Sequence, residues 1–536
     1  MPKAGVGRAD RGALVGILVV IFGALGWYLW LARRAWFVAD EWDFLVDRSA
    51  TNLHDLFRPH NEHWSTVPIL LWRGLFQVFG IRTYVPYLLL VLVAHLALAF
   101  LLWTVMRRAG VRPWIATAAA TLFVLFGTGY DGFLGAFNIT FTGSLLCGVG
   151  QLLLADHDGP ISRRDVFAVL VGLVGLMSSG LGVTMTVVVG LAVLARRGWR
   201  PALFQTVPLA AAYLVWFAVI GHEGYRSRAP ISNVPGFVYD QFRETFRTLG
   251  QLPGLGLLLA AGLVVGLVLL VRRTPVAELR RRAAPPLALL AGSLVFATLA
   301  GLGRATSVDV FGLTSTETPS RYLYVMAALL LPALALALST IAELRPIWGV
   351  PVAAAVFLIA VPGNVRTVVH ETDASGPVIQ SVKQGLVGIA SLPVATELPR
   401  DALVPARYFS GATVGWLVAA KDAGRLPEVT PLSPAEANAL TQELVLQGVP
   451  RPASTEGCEV LHHAVERRLG QQTRVISSPG GTVALGYLPS SGPAPPPVVL
   501  RDGNLASPAT RVQVSGLRFR IDPRHGTATV CRARSS

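Results

Sequence analysis

Charge is what this chain has least of. Only 14% of its 536 residues are charged, whereas a soluble chain carries nearer a quarter. Lysine is almost missing: Lys3, Lys383 and Lys421 are the only three among 46 basic residues. Three cysteines occur and no C-x-x-C pair, so a thiolate metal site is not expected. There is no Walker loop, no Rossmann fingerprint on a strand and no G-x-S-x-G, which argues against nucleotide hydrolysis. No internal repeat of fixed period is seen. The first apolar run ends in Arg33-Arg34 without a small-residue cleavage site, so a cleaved signal peptide is not expected. A net charge of +15 invites a nucleic-acid reading, but no recognition motif supports it.

What is present is hydrophobic length. Apolar residues make up 52% of the chain, and a single bilayer-crossing helix needs roughly 20 of them in a row. Eleven runs qualify or nearly so: 12–32, 84–106, 113–129, 134–155, 165–179, 181–195, 201–220, 252–271, 285–303, 321–341 and 346–362. The pair 165–179 and 181–195 is short and split at Ser178-Ser179-Gly180, leaving two tight crossings or one broken helix open. The stretch 66–80 is apolar but short and carries Arg73, so an interfacial helix is expected there.

Arginine explains the positive charge and sets the orientation. Alternate connections hold Lys3/Arg8/Arg11, Arg107/Arg108/Arg112, Arg163/Arg164, Arg196/Arg197/Arg200, Arg272/Arg273/Arg280/Arg281/Arg282 and Arg345. Basic residues concentrate on the cytoplasmic side, so the N-terminus is expected inside. An odd number of crossings then puts the tail outside. The expected fold is an all-α polytopic membrane domain over 1–363, with about eleven transmembrane helices and a first outer loop at 33–83. A small extracytoplasmic α/β domain over 364–536 follows.

The tail opens with helical signals, including a capping box at Ser433-Pro434-Ala435-Glu436. Alternating strands are expected at 473–478, 482–487, 511–515, 517–521 and 527–531, with a hairpin turning at Ser515-Gly516. Gly492 to Pro497 reads as a proline-rich connector. Cys458 and Cys531 are the two tail cysteines, and an oxidising exterior favours their pairing. Cys147, inside an apolar run, reads as a packing residue.

Polar residues beside a bilayer are costly and mark candidate function. The first outer loop is dense with them. Asp40, Glu41 and Asp43 lie just past the first helix, flanked by Trp36, Phe37, Trp42 and Phe44. The aromatics read first as interfacial anchors. A carboxylate held against aromatic surface can serve as a base, because desolvation raises its pKa. Arg58, His60, Glu62 and His63 follow. For His60, Glu62 and His63 three readings stay open: sugar-hydroxyl or phosphate binding, plain loop structure, and a metal site. The spacing is not H-E-x-x-H, so a metal is the least favoured. Arg304 and Arg321 bracket the fourth outer segment. Both suit either snorkelling to lipid phosphates or bidentate recognition of a phosphate on a lipid-linked substrate. Tyr322 and Tyr324 add hydrogen-bonding tips. Asp131, in G-Y-D-G, is a lone acid in a short outer turn. His95, amid V-A-H-L-A, reads as a core histidine.

The constellation resembles the GT-C superfamily of polytopic glycosyltransferases that use lipid-phosphate sugars. The matching features are the acidic motif Ala39-Asp40-Glu41-Trp42-Asp43 straight after the first helix, the long first outer loop with its interfacial helix, the number of crossings and the outer C-terminal domain. Ser320-Arg321-Tyr322 resembles the outer-face arginines that bind lipid phosphate in such enzymes. The resemblance implies that Asp40 or Glu41 is the catalytic base, with Asp43 close by. It also implies a polyprenyl-phosphate sugar donor, a glycan or lipid acceptor, and transfer on the outer face of a multi-pass cell-membrane protein. Arg321 and Arg304 would stabilise the leaving phosphate, and the acids, both arginines and His63 are expected around one outward cavity. No cofactor is implied, with a divalent metal left open. The tail matches no carbohydrate-binding module. A transporter and a non-enzymatic envelope protein with a partner-binding tail are the rival readings. The skew to arginine, with abundant alanine and glycine, points to a GC-rich bacterial genome.

Overall fold

The computed structural model describes residues 8–224, 229–305, 319–408, 410–449, 458–470, 473–490, 494–501, 509–512 and 517–531. The chain is a polytopic helical membrane protein carrying a tail of helices and sheets. By contacts it divides into two compact units. The first comprises 1–33, 48–74 and 85–375; the second comprises 34–47, 75–84 and 376–536.

Hydropathy accounts for the helices in chain order: α1 (Arg8–Leu31), α2 (Leu53–Phe57), α3 (Thr66–Phe79), α4 (Val85–Arg108), α5 (Pro113–Val124), α6 (Asp131–Leu134) and α7 (Ile139–Ala155). Then come α8 (Arg163–Leu176), α9 (Leu181–Arg197), α10 (Trp199–Val219), α11 (Val234–Gly250), α12 (Leu255–Arg273), α13 (Val276–Arg282), α14 (Ala284–Arg304), α15 (Ser320–Ala342), α16 (Pro346–Leu358) and α17 (Val361–Ile389). All eleven expected runs fold as helices. Among the described residues eight spans are long and apolar enough to cross a bilayer. The remaining three, α5, α8 and α9, have 12, 14 and 17 residues. They fall short of the roughly 20 that a full crossing needs.

The broken pair is settled by charge. Asp165 at the start of α8 and Arg197 at the end of α9 are paired at 2.5 Å. The two segments therefore run antiparallel, as separate helices rather than one interrupted helix. Gly182 permits the tight turn between them: a Cβ there would stand 2.5 Å from the Leu176 backbone. Proline at the first turn starts α5, α14 and α16, where its missing N–H costs nothing.

Helix α15 is the axis of the first unit. Most of its residues are buried, from Tyr322 to Ala342. Gly262 and Gly266 of α12 let that helix come close, since a Cβ on Gly266 would be 2.4 Å from the Ala337 carbonyl. This is the small-residue packing that membrane helices use in place of a hydrophobic driving force. His95 of α4 is a satisfied core histidine. Its Nε2 lies 3.1 Å from the Val124 carbonyl, which can only accept, so Nδ1 accepts from the Tyr324 hydroxyl at 2.9 Å. Tyr324 is thus spent inside the bundle.

In the second unit, α18 (Val414–Asp422) and α19 (Pro434–Val445) precede nine strands among the described residues. Ser433 and Glu436 form the expected capping box. The strands are β1 (Leu446–Val449), β2 (Glu459–Leu461), β3 (Val465–Arg468), β4 (Arg474–Ser477), β5 (Thr482–Leu488), β6 (Val498–Arg501), β7 (Ala509–Val512), β8 (Arg518–His525) and β9 (Ala528–Cys531). They make two antiparallel sheets, ordered β1-β7-β4-β9-β2 and β3-β8-β5-β6. Phe519 and Ile521 alternate inward along β8 between exposed Arg518 and Arg520, the period-two pattern of a half-buried strand.

The expected hairpin over 511–521 is not formed. Its turn, Ser515-Gly516, lies outside the described residues. Its two arms join different sheets: β7 pairs with β1 and β4, and β8 with β3 and β5. Both edges of each arm are taken by strands distant in sequence. The proline-rich connector precedes β6, with 491–493 outside the described residues. The expected bridge is present between Cys458 and Cys531. Register explains it: Glu459 pairs with Val530, so the antiparallel ladder sets the two cysteines opposite each other at its end.

Candidate functional site

The sequence candidates fall into both units, and each group is built locally. In the second unit, the chain leaving α1 packs its aromatics inward. Trp36, Phe37, Trp42 and Phe44 are all buried, which corrects their reading as interfacial anchors. Trp36 and Trp42 meet edge to face at 5.6 Å, and Trp42 meets Trp416 of α18 at 5.9 Å. Such pairs add to area burial because ring edges and faces carry opposite charge.

This aromatic floor sorts the three acids. Glu41 is buried, and its carboxylate accepts from the Val38 amide at 2.9 Å and the Tyr84 hydroxyl at 2.5 Å. Its work is to hold the turn. Asp40, the next residue toward the helix, is exposed. The preceding Ala39 has φ of 48°, a left-handed conformation that a residue with a Cβ adopts at a cost and that is often found at functional sites. Asp43 is half-buried and opens a wide π-type turn over Asp43–Asp47. Oxygens of Asp40 and Asp43 lie within 4.8 Å of each other, near enough for both to hold one divalent cation.

In the first unit, Asn61 (φ 52°) folds His60 back on His63 through paired backbone bonds of 3.0 and 2.9 Å. Arg48, a residue the sequence reading passed over, braces the loop by donating to the Asp55, Arg58 and Pro59 carbonyls. Arg58 pairs with Asp55. His60 sits against Phe137 at 5.2 Å. Burial, followed by the charges of Arg48, His63 and Arg58, holds its pKa down to about 3, so it is neutral.

His63 stands edge-on to Phe141 at 5.8 Å. Gly180 makes room for it: a Cβ there would be 2.8 Å from Nδ1. Burial lowers the His63 pKa; Glu62 opposes this, while Arg304 and Arg321 add to it. Glu62 accepts from Arg304 at 2.8 Å. Arg304, Arg321, Glu62 and His63 therefore share one electrostatic neighbourhood.

The start of α15 is pinned next to this group. The Ser320 hydroxyl donates to the Thr128 carbonyl at 2.8 Å and accepts from the Asp131 amide at 3.2 Å. Arg321 is left exposed and makes no ion pair among the described residues; its guanidinium sits 5.7 Å from the Tyr322 ring. Tyr322 itself is buried edge-on against Phe296 at 5.7 Å, so its ring is a packing element. Asp131 is held above the ordinary carboxylate range by burial, with Glu371 adding and Arg321 opposing. Glu371 was missed by the sequence reading; nothing local links an acid on α17 to a turn about 240 residues earlier. Residues 306–318 of the fourth segment lie outside the described residues.

No family model matches the chain, and no curated protein does. Two solved structures are similar to it. One is ArnT from Cupriavidus metallidurans bound to undecaprenyl phosphate, at 14% identity and a TM-score of 0.46, covering 83% of this chain and 97% of that one. The other is arabinosyltransferase EmbB from Mycobacterium smegmatis, at 14% identity and a TM-score of 0.36, covering 95% of this chain and 64% of that one. The polytopic helical architecture implied by the resemblance to the GT-C superfamily is the architecture observed.

Proposed function

We propose that the chain is a membrane glycosyltransferase. It moves a sugar from a polyprenyl-phosphate donor to an envelope glycan or lipid acceptor on the outer face of the cell membrane. The observation that carries this reading is the contrast between two adjacent acids. Glu41 is committed to Tyr84 and the turn, whereas Asp40 is exposed after a strained residue. Strained backbone of the kind at Ala39 clusters at functional sites.

In this mechanism Asp40 takes the proton of an acceptor hydroxyl. The hydroxyl oxygen bonds to the anomeric carbon as that carbon's bond to the phosphate oxygen breaks. The polyprenyl phosphate leaves with its charge stabilised by Arg321, whose fork matches phosphate oxygens. Arg304, held by Glu62, adds directed N–H donors. His63, Glu62, His60 and Arg58 are assigned to the sugar and phosphate. Glu62 Oε2 and His63 Nδ1 are buried without a hydrogen-bond partner among the described residues, and a bound sugar hydroxyl would satisfy both. A divalent cation on Asp40 and Asp43 would supply further screening of the phosphate.

The outer-face assignment has two supports. The arginine clusters mark the cytoplasmic ends, and the Cys458–Cys531 bridge suits an oxidising compartment. The test compares lipid-linked sugars and envelope glycans in a deletion strain complemented with wild type or Asp40→Asn. Wild type should restore a missing glycan, and Asp40→Asn should leave the sugar on its lipid carrier. Full glycan synthesis with Asp40→Asn would overturn the mechanism.

A further inference from the structure

A cleft in the second unit has no part in this chemistry. The C-terminal half of α17, the Ala406–Tyr408 turn and α19 enclose about 610 Å³, within the size range of small-molecule sites. Two glycines set its depth. A Cβ on Gly385 would be 2.2 Å from the Tyr408 hydroxyl, and one on Gly388 would be 2.6 Å from the Leu432 side chain. The helix can therefore lie close to an apolar floor of Tyr408, Leu432 and Leu440. Ser381 and Gln384 line the cleft from α17, and Arg407 lines it from the Ala406–Tyr408 turn.

Arg407 is positioned in advance. Its guanidinium pairs with Glu443 at 2.8 Å, donates to the Tyr408 hydroxyl at 3.1 Å, and stays about half exposed. Glu443 matches its charge, so beside Arg407 the cleft offers directed N–H, hydroxyl and amide groups. Glu436 also lines the cleft; it caps Ser433 and keeps its negative charge, which disfavours an anionic ligand. An anionic ligand would have to compete with Glu443. A wholly apolar ligand would bury the Gln384 amide and Arg407 donors unsatisfied. What fits is a ligand with apolar C–H faces and many neutral hydroxyls.

We infer that this cleft binds a neutral saccharide. Its role as an acceptor-holding subsite rests on the transferase reading; the binding itself does not. The test uses the purified full-length protein in detergent on a printed array of neutral and acidic oligosaccharides. Neutral saccharides should be retained, and Ser381→Trp and Gln384→Ala should each cut retention by about tenfold or more. Ser381 is exposed on its helix, so the tryptophan fills the cleft without entering the core. Asp40→Asn should stop transfer and leave retention unchanged, which separates the failure of one reading from that of the other. Retention of acidic saccharides only, of none, or retention insensitive to both cleft substitutions would overturn the inference.

Discussion

Two charged clusters in the first unit are built from similar residues and end differently. Around the start of α8, every oxygen of Asp165 is met. Arg197, Gln205, His157 and the Ser162 amide and hydroxyl all reach it, at 2.5 to 3.3 Å. Only Arg197 Nε is left over. Around the 60–63 turn, Glu62 and Arg304 pair, but Glu62 Oε2 and His63 Nδ1 are buried unpaired among the described residues, and Arg321 is left exposed. A buried polar group without a partner costs roughly 1–3 kcal/mol. The Asp165 carboxylate is closed off by its own neighbours, whereas the 60–63 turn leaves a carboxylate oxygen and a ring nitrogen open among the described residues. The acids at 40 and 41 repeat the contrast between adjacent residues.

The largest effect should separate those two acids. Asp40→Asn is expected to cut turnover by about 100- to 10,000-fold at unchanged thermal stability, as loss of a general base does. Glu41→Gln should act mainly on the yield of folded protein, with turnover per folded molecule far less affected. Transfer from a lipid-linked donor, measured beside a melting curve, distinguishes them. Equal turnover losses would erase the difference between committed and uncommitted acid.

The clamp should fail by unfolding rather than by chemistry. Asp165→Ala leaves Arg197 buried and uncompensated, a loss of about 3–5 kcal/mol by the behaviour of broken buried pairs. Denaturant titration in micelles would read it. A stability change under about 1 kcal/mol would place this pair with surface salt bridges.

The tail has its own clamp. The Cys458–Cys531 bridge spans 73 residues, worth roughly 4 kcal/mol in the loop-entropy account. Cys458→Ser should open the sheets to protease while the membrane helices stay protected. An unchanged digestion pattern would mean that the sheets hold without it.

The smallest effect is a slope with pH. His60 and His63 titrate below their unfolded value of about 6.5. The unfolded chain therefore binds more protons as pH falls below that value, and stability declines with it. For His60 the decline continues toward about pH 3. A loss of about 1 kcal/mol per pH unit is expected below pH 6. His60→Gln should flatten part of the slope; if it does not, the imidazole is not the group that burial holds neutral.

Much of this was legible because the signals are local. Each of the eleven runs is a helix, the capping box forms at Ser433, and the two tail cysteines pair as an oxidising exterior favours. Five strands were located, at β4, β5, β7, β8 and β9. β1, β2, β3 and β6 were not: strands of three or four residues hold little alternation, and of the strands this short only β4, β7 and β9 were found. The hairpin failed for a related reason, since strand pairing is decided by a partner and not by the strand.

The sequence by itself determined that this chain belongs in a membrane, that its apolar runs are helices and which residues are chemically unusual. Hydropathy and side-chain type are properties of a residue and its near neighbours. Only the tertiary structure decided what each group is committed to. Tyr84 claims Glu41 from 43 residues away, Tyr324 claims His95 across 229, and Glu371 meets the Asp131 neighbourhood from another helix. Whether an acid is a brace or a reagent depends on which hydrogen-bond donors reach it, and those donors arrive by folding.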